Sequence, residues 1–138
     1  SLMNKHHYSK QRFSQANDHL LKMIDILKNG DLEKFISITE LEALTLHAMM
    51  MTSMPYFILM KEGTLSIINK IWSLREATKI PLSFTLDAGA NVHLLYPASF
   101  KQKVLDFIDD ELVVYCENQQ YICDEVGTGA KVLNELYA

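Results

Sequence analysis

Cysteine is scarce in this chain. Only Cys116 and Cys123 occur, seven positions apart, which suits neither a disulfide framework nor a Cys-x-x-Cys metal or redox motif. A reduced, cytoplasmic protein is the expectation that follows. Long apolar runs are missing too. The longest candidate, Ala43 to Met60, is broken by Thr45, His47, Thr52, Ser53 and Pro55 and offers no stretch of the roughly 18 apolar residues that a bilayer span needs. There is no signal-peptide pattern, since the start is polar and His-rich rather than basic then apolar. Ser1-Leu2 has the look of a cloning scar, with natural polypeptide expected upstream of it. Excess positive charge is lacking as well. Thirteen basic residues against 17 acidic ones give a net charge of −4, which argues against a nucleic-acid surface. Repeats, low-complexity tracts and internal linkers are absent. What remains is 138 residues, 49% apolar and 22% charged, the size and composition of one folded domain.

Apolar periodicity supplies the elements. Phe13, Ala16, Leu20, Ile24 and Leu27 recur at helical spacing and predict a helix over 8–28, stopped by Asn29-Gly30. Asp31 can cap a second helix carrying Leu32, Phe35, Ile36, Leu41, Leu44, Ala48 and Met51, so the two read as a helical hairpin. Met49-Met50-Met51 and Met54 read as soft core packing, and Thr52-Ser53-Met54-Pro55 ends the helix. A third helix is expected over 63–79 with Thr64 as its N-cap. Leu82 to Asp87 and Asn91 to Tyr96 read as strands around the turn Ala88-Gly89-Ala90. Ser99 can cap a fourth helix carrying Phe100, Val104, Phe107 and Ile108. The stretch 109–115 is ambiguous, because Asp109-Asp110-Glu111 suits a helix start and Leu112-Val113-Val114-Tyr115 a strand. Tyr121 to Val126 reads as a further strand, ended by Gly127-Thr128-Gly129. The expected fold is α+β: a ferredoxin-like antiparallel sheet with helices on one face, plus the amino-terminal helical hairpin.

Few residues suggest chemistry. His6, His7, His19, His47 and His93 form no His-x-x-x-His pair and none meets a cysteine at metal-site spacing, so each is expected as a surface or satisfied buried imidazole. Gly127-x-Gly129 lacks the Lys-Ser/Thr of a phosphate loop and reads as a flexible turn. No serine elbow or Cys/His catalytic signature is present. Asp87 has the clearest potential. A carboxylate at a strand end, followed by the small residues Ala88 and Gly89, can be approached by a ligand. From pattern alone the same residues are more ordinarily the makings of a hairpin turn.

Three pieces, taken together, carry a resemblance. They are Leu46-His47-Ala48-Met49-Met50-Met51-Thr52-Ser53-Met54-Pro55, then Phe84-Thr85-Leu86-Asp87-Ala88-Gly89-Ala90-Asn91, then Val126-Gly127-Thr128-Gly129. In this order and spacing the chain resembles the carboxy-terminal half of the diphosphomevalonate decarboxylase family, from Phe13 to Leu133. That family belongs to the kinase superfamily of galactokinase, homoserine kinase and mevalonate kinase. The family usually reads Asp-Ala-Gly-Pro-Asn after a Phe-Thr or Tyr-Thr strand. Here Ala90 stands at the proline, while Asp87, Gly89 and Asn91 keep register. Met54-Pro55-Tyr56 departs from a family segment that often carries two prolines.

The resemblance implies an enzyme that uses ATP and Mg2+ to phosphorylate the tertiary hydroxyl of mevalonate 5-diphosphate and then releases phosphate and carbon dioxide, giving isopentenyl diphosphate. The family's catalytic aspartate falls on Asp87, which accepts or orients the hydroxyl proton and can favour positive charge at the tertiary carbon. Ala88 and Gly89 are the implied substrate-binding positions. The parts of the family enzyme that hold ATP and the diphosphate lie before the first residue of this chain. Residues 1–138 are therefore expected to be one domain, the carboxy-terminal domain of a longer two-domain enzyme, folding alone but not turning over alone. Expected partners are mevalonate 5-diphosphate, the missing amino-terminal domain and, because the family is often dimeric, a second copy. Nucleic acid, membrane and a metal held by this chain are not expected. Two other readings stand beside this one. A relative in the superfamily could phosphorylate without decarboxylating, or act on the monophosphate. Alternatively, a non-catalytic ferredoxin-like module could bind a ligand or partner, with Asp87 only a turn residue.

Overall fold

A computed structural model describes residues 6–129, so Ser1-Leu2 and the far end of the resemblance at Leu133 lie outside the described residues. The chain opens with helices α1 (Ser9–Asn29) and α2 (Leu32–Met51). Gly30 links them at φ 68°, the left-handed conformation glycine adopts without strain. Asp31 caps α2 as expected, its carboxylate accepting from Lys34 N at 3.1 Å. Helix α3 (Glu62–Thr78) follows, then strands β1 (Ser83–Leu86) and β2 (Val92–Leu95), and helix α4 (Lys101–Phe107).

Thr64 has a different role from the one its position suggested. Lys61 is the N-cap of α3, and Thr64 lies three residues inside, its hydroxyl accepting from Lys61 N at 3.1 Å. A threonine there satisfies the orphan N–H by reaching backwards. Ser99 is not a cap either. It sits within a 3-10 turn, Ala98–Phe100, that Pro97 introduces ahead of α4. The ambiguous stretch is helical: a π turn at Ile108–Leu112 and a 3-10 turn at Val113–Tyr115 extend α4. Ile108 and Leu112 are buried one turn apart, continuing the face of Val104 and Phe107, while Val114 is exposed. Packing against the core outweighed the strand-forming composition of Leu112 to Tyr115.

The sheet is an antiparallel pair, with Ser83 opposite Leu95 and Leu86 opposite Val92. The further strand expected at Tyr121 to Val126 does not form. That segment has no regular structure and pairs with no strand among the described residues, and Ile122 and Val126 are fully in solvent. Strand propensity mostly expresses packing against neighbours, and among the described residues no strand pairs with this segment.

The core lies between β1, α2, α3 and α4. Phe84 and Leu82 of the β1 segment, Ile71 of α3 and Val104 of α4 have no or almost no accessible surface. Each such side chain contributes about 1.5–3 kcal/mol by leaving water. A polar clamp stands at the edge of this core. Glu40 of α2 accepts from Trp72 Nε1 at 3.0 Å and from both Arg75 guanidinium nitrogens, at 2.5 and 3.0 Å. Arg75 also donates to Leu82 O at 2.8 Å, so one cluster ties α2, α3 and the start of β1 together.

Helix α1 is held differently. Arg12 makes a fork onto Glu42 of α2, at 3.2 and 2.5 Å, and His19 meets the same carboxylate. The apolar stripe read from the sequence points elsewhere. Phe13, Leu20, Ile24 and Leu27 are exposed, Leu20 and Leu27 by 61% and 64%. None of the described helices is long and apolar enough to cross a membrane.

Candidate functional site

β1 carries the chain out of the core at Leu86, which is 3% exposed, and Asp87 is the first residue beyond the ladder. Its side chain is 91% exposed. Beside it stands the imidazole of His93, whose Nε2 lies 3.7 Å from Asp87 Oδ2. Thr85 pairs with His93 in the register, so alternation brings the imidazole to the outer face beside the turn while Val92 and Leu94 turn inward.

The backbone of the turn is held where its carboxylate is free. Gly89 N donates to Asp87 O at 2.8 Å, closing a tight turn. His47 Nε2 lies 2.9 Å from the same carbonyl oxygen. His47 comes from α2, forty residues earlier in sequence, and is 1% exposed. At the far side, Thr64 Oγ1 of α3 donates to Ala90 O at 2.7 Å. Two helices therefore each supply one buried side chain to one carbonyl of the turn.

Gly89 and Ala88 stand at the open lip. A Cβ placed on Gly89 would meet nothing within 4 Å, and its φ lies outside the left-handed range. Neither internal packing nor backbone conformation requires glycine there. What glycine adds is room for a molecule approaching from outside.

The three sequence segments are thus brought together only in part. The α2 segment touches the Asp87 turn through His47. Ser53 is part of the turn that ends α2, as expected, 4% exposed with Oγ at 2.9 Å from Met50 O and 2.6 Å from Pro55 O. Gly127-Thr128-Gly129 is exposed, with Gly129 at φ 87°, and makes no hydrogen bond to the Asp87 turn. The contact sequence reasoning missed is the one between His47 and Asp87. Both residues stood in the resembling segments, but nothing in a one-dimensional spacing says that they meet.

A carboxylate in this position can accept a hydrogen bond or a proton from a hydroxyl brought to it. A MgATP site is a different matter. Among the described residues, no group of three or more His, Cys, Asp and Glu stands together to hold a metal ion. Nor does any Gly/Ser-rich loop open a helix among the described residues. The residues here do not by themselves fit that group.

Comparison with known proteins gives this geometry a context. Residues 4–136 match a family model described as the mevalonate 5-diphosphate decarboxylase C-terminal domain. A curated phosphomevalonate decarboxylase from Haloferax volcanii is 26% identical over 129 residues, which is 94% of this chain and 38% of that protein. The crystal structure of mevalonate diphosphate decarboxylase from Staphylococcus aureus superimposes with a TM-score of 0.75 at 25% identity, covering 87% of this chain and 35% of that one. A structure concerned with mevalonate diphosphate-mediated ATP binding by the Enterococcus faecalis enzyme shares the fold, with a TM-score of 0.73 at 21% identity, over 80% of this chain and 36% of its own. The chain spans little more than a third of the length of these relatives.

Proposed function

The chain belongs to the mevalonate 5-diphosphate decarboxylase C-terminal domain family, and from that premise we propose that it is the carboxy-terminal domain of a two-domain decarboxylase acting on mevalonate 5-diphosphate. Asp87 is the catalytic residue of this part. It meets the tertiary hydroxyl of the substrate and accepts or orients its proton, and its charge favours a developing positive centre at the tertiary carbon. Ala88 and Gly89 let the substrate pass close to the backbone. ATP, Mg2+ and the diphosphate group are held mainly by the amino-terminal domain. The observation that carries this reading is the turn itself: an exposed carboxylate on a backbone whose carbonyl is fixed by His47.

The test uses the two-domain enzyme. Asp87→Asn is expected to lower kcat at least about a hundredfold, the range for a positioned acid or base. Unchanged turnover would leave Asp87 as a turn residue and overturn the reading. The 138 residues alone are expected to release no carbon dioxide from mevalonate 5-diphosphate and ATP.

A second reading follows from the Haloferax volcanii relative, whose name specifies the monophosphate. The same turn serves that reaction equally, because it faces the hydroxyl and not the phosphate end. Comparing kcat/KM for the mono- and diphosphate substrates decides between them. A cytoplasmic location fits the two free cysteines, Cys116 and Cys123. The homodimer implied by the family resemblance belongs to the same proposal, and sedimentation of the two-domain enzyme tests it.

A further inference from the structure

We propose that His47 is a positioning residue for the Asp87 turn, with Thr64 as its counterpart at the other end. The ladder between β1 and β2 stops at Leu86 and Val92. Beyond it, the backbone bond from Gly89 N to Asp87 O spans only two residues. A five-residue turn so lightly bonded to itself has several conformations open to it, and its carboxylate would move with them. Two contacts from outside the turn remove that freedom.

The first contact has a defined sense. A carbonyl oxygen only accepts, so His47 Nε2 must carry the proton it donates to Asp87 O. The ring is almost fully buried, which makes an imidazole an expensive choice where leucine would pack without needing a partner. The second contact is equally committed. Thr64 Oγ1 gives its one proton to Ala90 O and accepts from Lys61 N, so both functions of the hydroxyl are spent and its direction is set. His47 belongs to α2 and Thr64 to α3. These helices also carry the Glu40–Arg75 clamp, so the two anchors stand on a rigid pair of supports. The backbone is therefore fixed from beneath while the carboxylate stays in the open, 91% exposed. A reacting group held this way needs no rearrangement when substrate arrives.

The inference rests on the reading of Asp87 as the reacting carboxylate, and the experiment separates the two. In the two-domain enzyme, His47→Leu removes the donor, and His47→Gln restores an N–H at similar reach. His47→Leu is expected to lower kcat on the order of 10–100-fold with KM within about twofold, the scale of a displaced but intact reacting group. His47→Gln is expected to recover most of that loss. Thr64→Val and Thr64→Ser form the same pair at the other anchor. Full kcat in His47→Leu, in an enzyme where Asp87→Asn has lost turnover, overturns the positioning role and leaves the catalytic reading standing. Full kcat in Asp87→Asn overturns both. Nitrogen-15 shifts of the His47 ring in the wild-type protein give a readout that no folding defect can confuse. The Nε2–H tautomer is expected, and an Nδ1–H tautomer would remove the hydrogen bond on which the proposal stands.

Discussion

Glu40 and Glu42 lie two residues apart on α2, and each is taken by an arginine from a different neighbour. On one side Arg75 of α3 closes on Glu40 with Trp72, and behind that cluster lie Ile71, Leu82 and Phe84, almost without accessible surface. On the other side Arg12 of α1 closes on Glu42 with His19, and the apolar stripe of α1 faces away from the contact. The two sides use the same chemistry and differ in what stands behind it. A salt bridge at the edge of a core locks elements that hydrophobic burial has already brought together. The α1 side lacks that core, Ile26 being the one buried hydrophobic residue of α1 among those described, so the partly buried Arg12–Glu42 pair, 11% and 32% exposed, carries more of the contact.

The difference is sharpest in side-chain truncation. Phe84→Ala is expected to cost about 3–5 kcal/mol, because it opens a cavity that closely packed neighbours cannot fill. Leu27→Ala, on the outward stripe of α1, is expected to change stability by no more than about 0.5 kcal/mol. Urea denaturation of both variants measures the gap. A Leu27→Ala cost close to that of Phe84→Ala would mean that the α1 stripe is covered in solution, and the contrast between the two sides would fail.

The second prediction compares the carboxylates directly. Glu40→Ala leaves Arg75 and Trp72 without their shared acceptor at a site 8% exposed, and about 3 kcal/mol is expected to be lost. Glu42→Ala is expected to cost less, about 1–2 kcal/mol, since its side chain keeps about a third of its surface in water, although Arg12 at 11% exposure loses its acceptor. Equal costs in a thermal melt would show that the two clamps are energetically alike despite their surroundings.

Much of this arrangement is legible in one dimension. Asn29-Gly30 and Asp31 mark the hairpin because each satisfies a local backbone need. The β1–β2 pair and the exposed position of Asp87 follow from alternation and turn residues. What was hidden depends on partners distant in the chain. Periodicity reports that α1 has an apolar face, not which way that face turns, and here the polar residues Arg12 and His19 take the inner side. Tyr121 to Val126 has strand composition but pairs with no strand among the described residues. Asp87 can be singled out as a carboxylate at a strand end, but its support by His47 joins residues forty apart and is visible only when α2 has been laid against β1.

The smallest expected effect is also the most selective. Burial of Glu42 raises its pKa, but hydrogen bonds from Arg12 and His19 and the charges of both outweigh that, so the carboxyl sits below its usual 4.5. A carboxyl depressed in the folded state stabilises that state above its unfolded pKa and loses the contribution as pH falls through the folded value. Acid should therefore loosen α1 first, as pH drops below about 4.5, because protonating Glu42 removes the anionic acceptor that Arg12 and His19 share. Hydrogen exchange measured along the chain reads this directly. Amides of α1 are expected to lose protection relative to those of α3, and Glu42→Gln is expected to remove that pH dependence by making α1 equally loose at every pH. If α1 and α3 lose protection together, the hairpin and the core open as one unit, and the boundary along α2 between a clamp with a core and a clamp without one disappears.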